Sequence, residues 1–171
     1  MRQKAKLSAT AKIVLWVVSP FLVLSFIFLC IGLLFYALWH HSYRLYLRLW
    51  FELTLGSAGK RVLLVYSRSP NWQQYIESRW LPELEPHVFV VNWSDRSTWG
   101  RFPSLPVRLF RFYSGPREYN PMVVLFPRSG RARVIRLFKA FRDLKHGKPL
   151  ALTKAENEVF LFREKLDTQR A

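Results

Sequence analysis

The hydrophobic pattern begins with an unbroken apolar segment from Ile13 to Trp39, which is 27 residues long and carries no formal charge. A helix of this length spans about 40 Å, more than the ~30 Å hydrocarbon core of a bilayer requires. The segment is also too long for the apolar part of a typical cleaved signal peptide, and no small-residue cleavage motif follows it. We therefore predict a single transmembrane helix over 13–39, preceded by a basic flank over 1–12.

Residues 40–55 keep a helical spacing of apolar side chains but place charged residues between them. This pattern predicts an amphipathic helix that lies in the headgroup region of the membrane. The alternative is that the segment packs as the first helix of the domain that follows. Residues 56–60 contain two glycines and are predicted to be a linker. The apolar positions of the segment are Tyr43, Tyr46, Leu47, Trp50, Phe51 and Leu53.

The remaining residues, 61–171, open with a strand–helix–strand pattern. Val62–Tyr66 and His87–Asn92 are short apolar runs, typical of strands that are buried on both faces. Between them, Ser69 is placed to cap a helix, and Pro82 is expected to end it. Such a unit is typical of a right-handed parallel crossover.

The second half of the domain alternates between strand and helix patterns. Val107–Tyr113 partly alternates, which predicts an edge strand, and Met122–Phe126 reads as a further buried strand. An apolar stripe over Val134–Leu144 predicts a helix; the alternative is a strand at Arg131–Leu137 that forms a hairpin with the preceding strand. Thr153–Glu156 has the form of a capping box and predicts the start of the last helix.

These elements together predict a transmembrane α-helix plus a small α/β domain, with a mostly parallel sheet of about four strands flanked by helices. The strand–helix–strand order, followed by Asn120-Pro121 before a buried strand, resembles thioredoxin-type domains over residues 62–126. The loop Ser67–Trp72 has no cysteine where that family keeps its redox pair. The resemblance therefore implies no disulfide chemistry.

Composition adds a strong positive charge to this picture. The chain of 171 residues carries 27 basic and 11 acidic side chains, a net charge of +16. Four basic residues precede the apolar segment, and every acidic residue lies at Glu52 or later, so the chain after that segment has 23 basic and 11 acidic groups, or +12. Anionic lipid headgroups are the simplest counter-charge for a tethered basic domain. The alternatives are nucleic acid, which we do not expect as a partner, and an ordinary solvated surface.

Candidate chemistry is sparse. The single cysteine, Cys30, lies in the apolar segment, so the domain has no disulfide framework, thiol nucleophile or cysteine-based zinc site. The sequence also lacks the glycine-rich phosphate-binding and nucleophile-elbow motifs. We predict neither a metal site nor a cofactor, and the sequence does not decide whether the protein is an enzyme.

Polar loops follow three of the predicted strands. If the strands are parallel, these loops meet at one edge of the sheet, where open α/β sheets bind ligands. Two of the loops are expected to open helices, whose free N–H groups favour anions. The alternative is that Ser69 and Ser129 serve as helix caps. The predicted anion-binding residues are Ser67, Arg68, Ser69, Asn92, Ser94, Asp95, Arg128, Ser129 and Arg131.

These observations favour a single-pass, membrane-anchored interaction module that binds another membrane protein, anionic lipid headgroups or a small anionic ligand. The alternative is a membrane-associated, transferase-like enzyme that acts on a phosphorylated or nucleotide-linked substrate. The charge arguments for the side of the membrane oppose each other. The basic flank favours a cytoplasmic N-terminus, with the domain on the far side. The basic domain gains most beside the anionic cytoplasmic leaflet.

Overall fold

The structure, a computed structural model, describes residues 9–168, and it describes side chains from Val18 onward. Residues 1–8 of the predicted basic flank therefore lie outside the described part. The chain divides into two compact units between Tyr46 and Leu47. In chain order the elements are helix α1 (Ala9–Phe51) with a π-helical turn (Glu52–Gly56), β1 (Val62–Tyr66), α2 (Gln73–Tyr75) with a π-helical turn (Ile76–Trp80), α3 (Leu81–Leu84), β2 (Val88–Asn92), a 3₁₀ helix (Trp93–Thr98), α4 (Leu105–Ser114), β3 (Met122–Leu125), β4 (Arg133–Arg136), α5 (Phe138–Lys145) and α6 (Leu150–Thr168).

The long apolar helix predicted near the N-terminus is present. Helix α1 runs for 43 residues and passes through Pro20 without a break. The stretch Val18–Gly56 reaches a mean hydropathy of 2.7 in its most apolar window, and none of that window is buried. The helix thus has the length and composition of a membrane-spanning segment, features that a signal sequence near an N-terminus shares.

The four strands form one sheet in the order β2-β1-β3-β4. Strands β1 and β2 are parallel, whereas β3 is antiparallel to both β1 and β4. The prediction of a mostly parallel sheet is therefore wrong, and the sheet is mixed. A strand buried on both faces reads as a continuous apolar run in either direction, so the apolar pattern of Met122–Leu125 did not reveal its orientation.

Helices cover both faces of the sheet. One face packs against a core that contains Trp80, from the helical segment between β1 and β2, and Val159 of α6. The strand residues on this face include Val62, Leu64 and Val123. On the other face, the ring centroid of Phe51 lies 4.3 Å from that of Phe126 and 6.1 Å from that of Phe89. Leu47 and Phe51, near the end of α1, are buried.

Two predicted elements change type in the structure. Val107–Tyr113, predicted as an edge strand, belongs to helix α4, because Pro106 occupies its first turn and Leu105, Leu109 and Phe110 recur at helical spacing on its buried side. The helix predicted over Val134–Leu144 is confirmed only from Phe138 onward. Its first residues form β4, which pairs with β3 as the alternative hairpin predicted, and helix α5 begins at Phe138.

Two helix boundaries differ from the prediction. Pro82 does not end the helix after β1; a π-helical turn precedes it, and the chain stays helical to Leu84. The capping box predicted at Thr153 is wrong because α6 already begins at Leu150. The carboxylate of Glu156 is buried and accepts hydrogen bonds from Trp80 Nε1 (2.9 Å) and the Tyr75 hydroxyl (2.8 Å).

Candidate functional site

The parallel pair β1 and β2 brings two of the three predicted loops to one edge of the sheet. Arg68, after β1, forms an ion pair with Asp95, after β2, with 2.8 Å between the guanidinium and the carboxylate. The backbone N–H of Arg68 donates to Ser94 Oγ at 2.9 Å. The Ser94 N–H in turn donates to the Asn92 side-chain oxygen at 3.0 Å, which caps the 3₁₀ helix. We call this group of residues, with Ser67 and Ser69, the β1–β2 edge.

The polar groups of the β1–β2 edge already have hydrogen-bond partners within the fold. The hydroxyl of buried Ser67 donates to Asn120 Oδ1 at 3.0 Å, and its carbonyl oxygen accepts from Trp72 Nε1 at 3.2 Å. Ser69 accepts the backbone N–H of Gln73 through its own carbonyl oxygen at 2.9 Å, at the start of the helical segment. The basic charge at this edge is neutralised by a neighbouring carboxylate, so an added anion would compete with Asp95.

The third predicted loop lies at the other end of the strands, beside the start of β1, because β3 runs antiparallel to β1. The expectation that Arg128, Ser129 and Arg131 join the other loops is therefore wrong. The loop leads into strand β4, so Ser129 does not cap a helix. The guanidinium of Arg48 donates to the carbonyl oxygens of Pro127 and, at 3.4 Å, Arg128.

Arg128 borders a small cleft at that end of the strands. The cleft has a volume of about 130 Å³, and its lining includes Gly59, Arg61 and His87. The Arg61 guanidinium donates two hydrogen bonds to the Glu52 carboxylate, at 3.1 and 2.6 Å. The ring nitrogens of His87 lie 2.9 Å from the Gly59 carbonyl oxygen and 2.8 Å from an Asp167 carboxylate oxygen. Apart from Arg128, the basic groups in this cleft thus already bind other groups of the protein.

Two phenols near the sheet are held in the protonated form. Burial, together with the Glu77 carboxylate that accepts the Tyr66 hydroxyl at 3.0 Å, raises the pKa of Tyr66 to about 12. Burial and the hydrogen bond to Glu156 likewise raise the pKa of Tyr75. Both hydroxyls therefore act as hydrogen-bond donors near neutral pH.

Positive charge is concentrated in residues 128–154, which we call the basic segment. It holds nine Lys and Arg residues and one acidic residue, Asp143. All nine basic residues are exposed. Within the described part of the chain, Arg133 pairs with Glu158 at 3.2 Å, and Arg142 lies 3.9 Å from Asp143. The basic residues are Arg128, Arg131, Arg133, Arg136, Lys139, Arg142, Lys145, Lys148 and Lys154.

A second cleft, of about 240 Å³, lies between the loop after β1 and helix α5. The sequence pattern placed Phe138 and Phe141 in the apolar stripe of the helix predicted over Val134–Leu144, so it did not predict this cleft. The combination of an aromatic stripe with basic residues in the last turn of α5 was the available signal. We call it the α5 cleft; its lining residues are Asn71, Trp72, Phe138, Phe141, Arg142, Lys145 and His146.

Comparisons with protein-family models, with curated proteins and with solved structures give no match to this chain. Among the residues that the structure describes, no three His, Cys, Asp or Glu side chains are grouped so that they could hold a metal ion.

Proposed function

We propose that the apolar N-terminal helix anchors this protein in a membrane and that the domain binds anionic lipid headgroups through the basic segment. The uneven charge distribution carries this proposal. Nine exposed basic residues and one acidic residue share a single contiguous part of the chain, whereas the other ten acidic residues lie elsewhere.

The basic segment offers charges that the fold leaves available. Arg128, Arg131, Lys139, Lys148 and Lys154 make no ion pair with an acidic side chain among the described residues. Each basic residue near an anionic bilayer surface contributes about 1 kcal/mol of attraction. Several such residues therefore suffice to hold the domain against a leaflet that contains anionic lipid.

The anchor is tested by the mass of the mature protein recovered from membranes. We expect an intact N-terminal helix and retention in the membrane fraction after alkaline extraction. Release of the protein, or loss of the residues up to Trp39, contradicts the anchor and supports a signal sequence.

Lipid binding is tested with the full chain in nanodiscs of neutral lipid, which are exposed to vesicles with or without phosphatidylserine. We expect capture of the anionic vesicles, with an affinity that falls as salt is raised. The triple variant Lys139→Gln, Lys148→Gln, Lys154→Gln should bind at least about tenfold more weakly.

The matched control is the triple variant Arg101→Gln, Arg117→Gln, Lys165→Gln, which removes the same charge from exposed positions outside the basic segment. We expect it to retain most of the affinity. Equal losses in the two variants contradict the role of the basic segment, and failure to capture anionic vesicles contradicts lipid binding itself.

A further inference from the structure

We propose that the α5 cleft binds a small organic anion that carries a planar aromatic ring, with a nucleoside monophosphate as the fitting class of ligand. This inference does not require lipid binding, although Arg142 and Lys145 belong to the basic segment as well. It depends on three properties of the cleft: aromatic walls, a basic rim without an adequate counter-charge, and a volume suited to one ring system.

The aromatic walls come from two elements. The rings of Trp72 and Phe138 have centroids 6.0 Å apart at 68°, and Trp72 lies 6.2 Å from Phe141 at 50°. Phe141 is buried and forms the floor, whereas Phe138 is 51% exposed. An aromatic side chain exposed to this degree beside two others offers a stacking surface for a further ring.

The basic rim comes from the last turn of α5. Arg142, Lys145 and His146 line the cleft, and the Asp143 carboxylate lies 3.9 Å from Arg142 Nε, at the outer limit of an ion pair. Within the described residues, the side chains of Lys145 and His146 make no hydrogen bond or ion pair. The helix C-terminus carries only about half a negative charge, so it leaves a net positive rim that suits a phosphate.

The third property is size. A volume of about 240 Å³ is below the ~300–1,000 Å³ of pockets for drug-sized ligands, so the cleft suits one ring system whose phosphate reaches the rim. Asn71 adds an amide at the mouth. Its Nδ2 lies 3.4 Å from Ser69 Oγ, a weak contact that a ring with polar edges can replace.

The test is calorimetric titration of the full chain in neutral nanodiscs with AMP, with ribose 5-phosphate, which lacks the aromatic base, and with adenosine, which lacks the phosphate. We expect saturable AMP binding at least about tenfold tighter than that of either partial ligand, because stacking and phosphate contacts both contribute. Absence of saturable AMP binding overturns the proposal, as does equal affinity for ribose 5-phosphate.

Two single variants locate the ligand. Phe138→Ala should weaken AMP binding at least about fivefold through lost stacking, and Arg142→Gln about tenfold through a lost charged hydrogen bond. Both residues are exposed, so circular dichroism should show an unchanged fold. The matched controls are Phe102→Ala, at a side chain that is 84% exposed, and Arg101→Gln. Losses in the controls as large as those in the cleft variants overturn the assignment to the α5 cleft.

Discussion

The β1–β2 edge and the α5 cleft both place basic side chains beside the loop that follows β1, yet they differ in what the fold does with the charge. At the edge, Arg68 meets the Asp95 carboxylate at 2.8 Å. In the cleft, Lys145 and His146 have no such contact among the described residues. A polar loop at the end of a strand is therefore a poor guide to a binding site until its internal contacts are known, because neighbouring groups can already satisfy it.

The largest expected effect separates the floor of the α5 cleft from its wall. Phe141→Ala should lower the free energy of unfolding by about 3–5 kcal/mol, because Phe141 is buried in the core. Phe138→Ala, at a half-exposed ring, should cost less than about 1 kcal/mol. Denaturant unfolding of the full chain in detergent micelles measures both. Equal losses contradict the distinction between floor and wall.

The next effect concerns alkaline pH at the end of β1. The pKa of Tyr66 is raised to about 12, above the unfolded value of 10.0, so its contribution to stability is complete below pH 10 and is lost as pH rises through 12. The loss is on the order of 2 kcal/mol. The free energy of unfolding of the Tyr66→Phe variant should therefore fall less between pH 10 and 12 than that of the parent chain. Superimposable alkaline unfolding curves would contradict the raised pKa.

A smaller effect tests the internal hydrogen bonds of the β1–β2 edge. Ser67→Ala removes the donor to the Asn120 side-chain oxygen and should lower stability by about 1–2 kcal/mol. Ser97→Ala, at an exposed serine, is the control and should stay within about 0.5 kcal/mol. Thermal unfolding measures the stability of both variants. If Ser67→Ala leaves the stability unchanged, the hydrogen bond between Ser67 and Asn120 does not stabilise the β1–β2 edge.

The smallest effects compare the charges themselves. A double-mutant cycle of Arg68→Gln and Asp95→Asn should give a coupling of about 0.2–1 kcal/mol, because the pair is largely exposed. Lys145→Gln should change stability by less than about 1 kcal/mol, because the repulsion among like charges that it relieves opposes the attraction to the C-terminus of α5 that it removes. A larger loss on removing Lys145 would mean that the cleft, too, contains its own counter-charge.

The sequence predicted the core strands better than their arrangement. Val62–Tyr66 has the predicted bounds, and the strands at Val88–Asn92 and Met122–Leu125 each differ from prediction by one residue. An apolar run does not record the direction of a strand: β1 and β2 are parallel, whereas β3 is antiparallel to β1 even though helix α4 lies between β2 and β3. Because the three-loop site depended on parallel strands, it divided into two when β3 proved to be antiparallel.

The α5 cleft was less accessible to prediction for a different reason. A helical stripe records which side chains share a face, but it does not tell whether a ring such as Phe138 is covered by a neighbour or left half-exposed. The exposure of Phe138 depends on the position of Trp72, which is distant in the sequence and is set by the packing of the helical segment between β1 and β2. Likewise, the buried Glu156 has the sequence position of a helix cap, and only tertiary packing shows that it bonds Trp80 and Tyr75 instead.

Strand β4 lies at the edge of the sheet, and two exposed arginines, Arg133 and Arg136, stand at its ends. An open edge invites pairing with the edge of another molecule, and charged side chains are a common safeguard against it. Copies that are anchored in one bilayer, as we propose, encounter one another far more often than freely diffusing molecules do. Antiparallel joining of two β4 strands would bring arginines of both chains together, so the same positive charge that attracts lipid should also oppose aggregation of neighbouring copies.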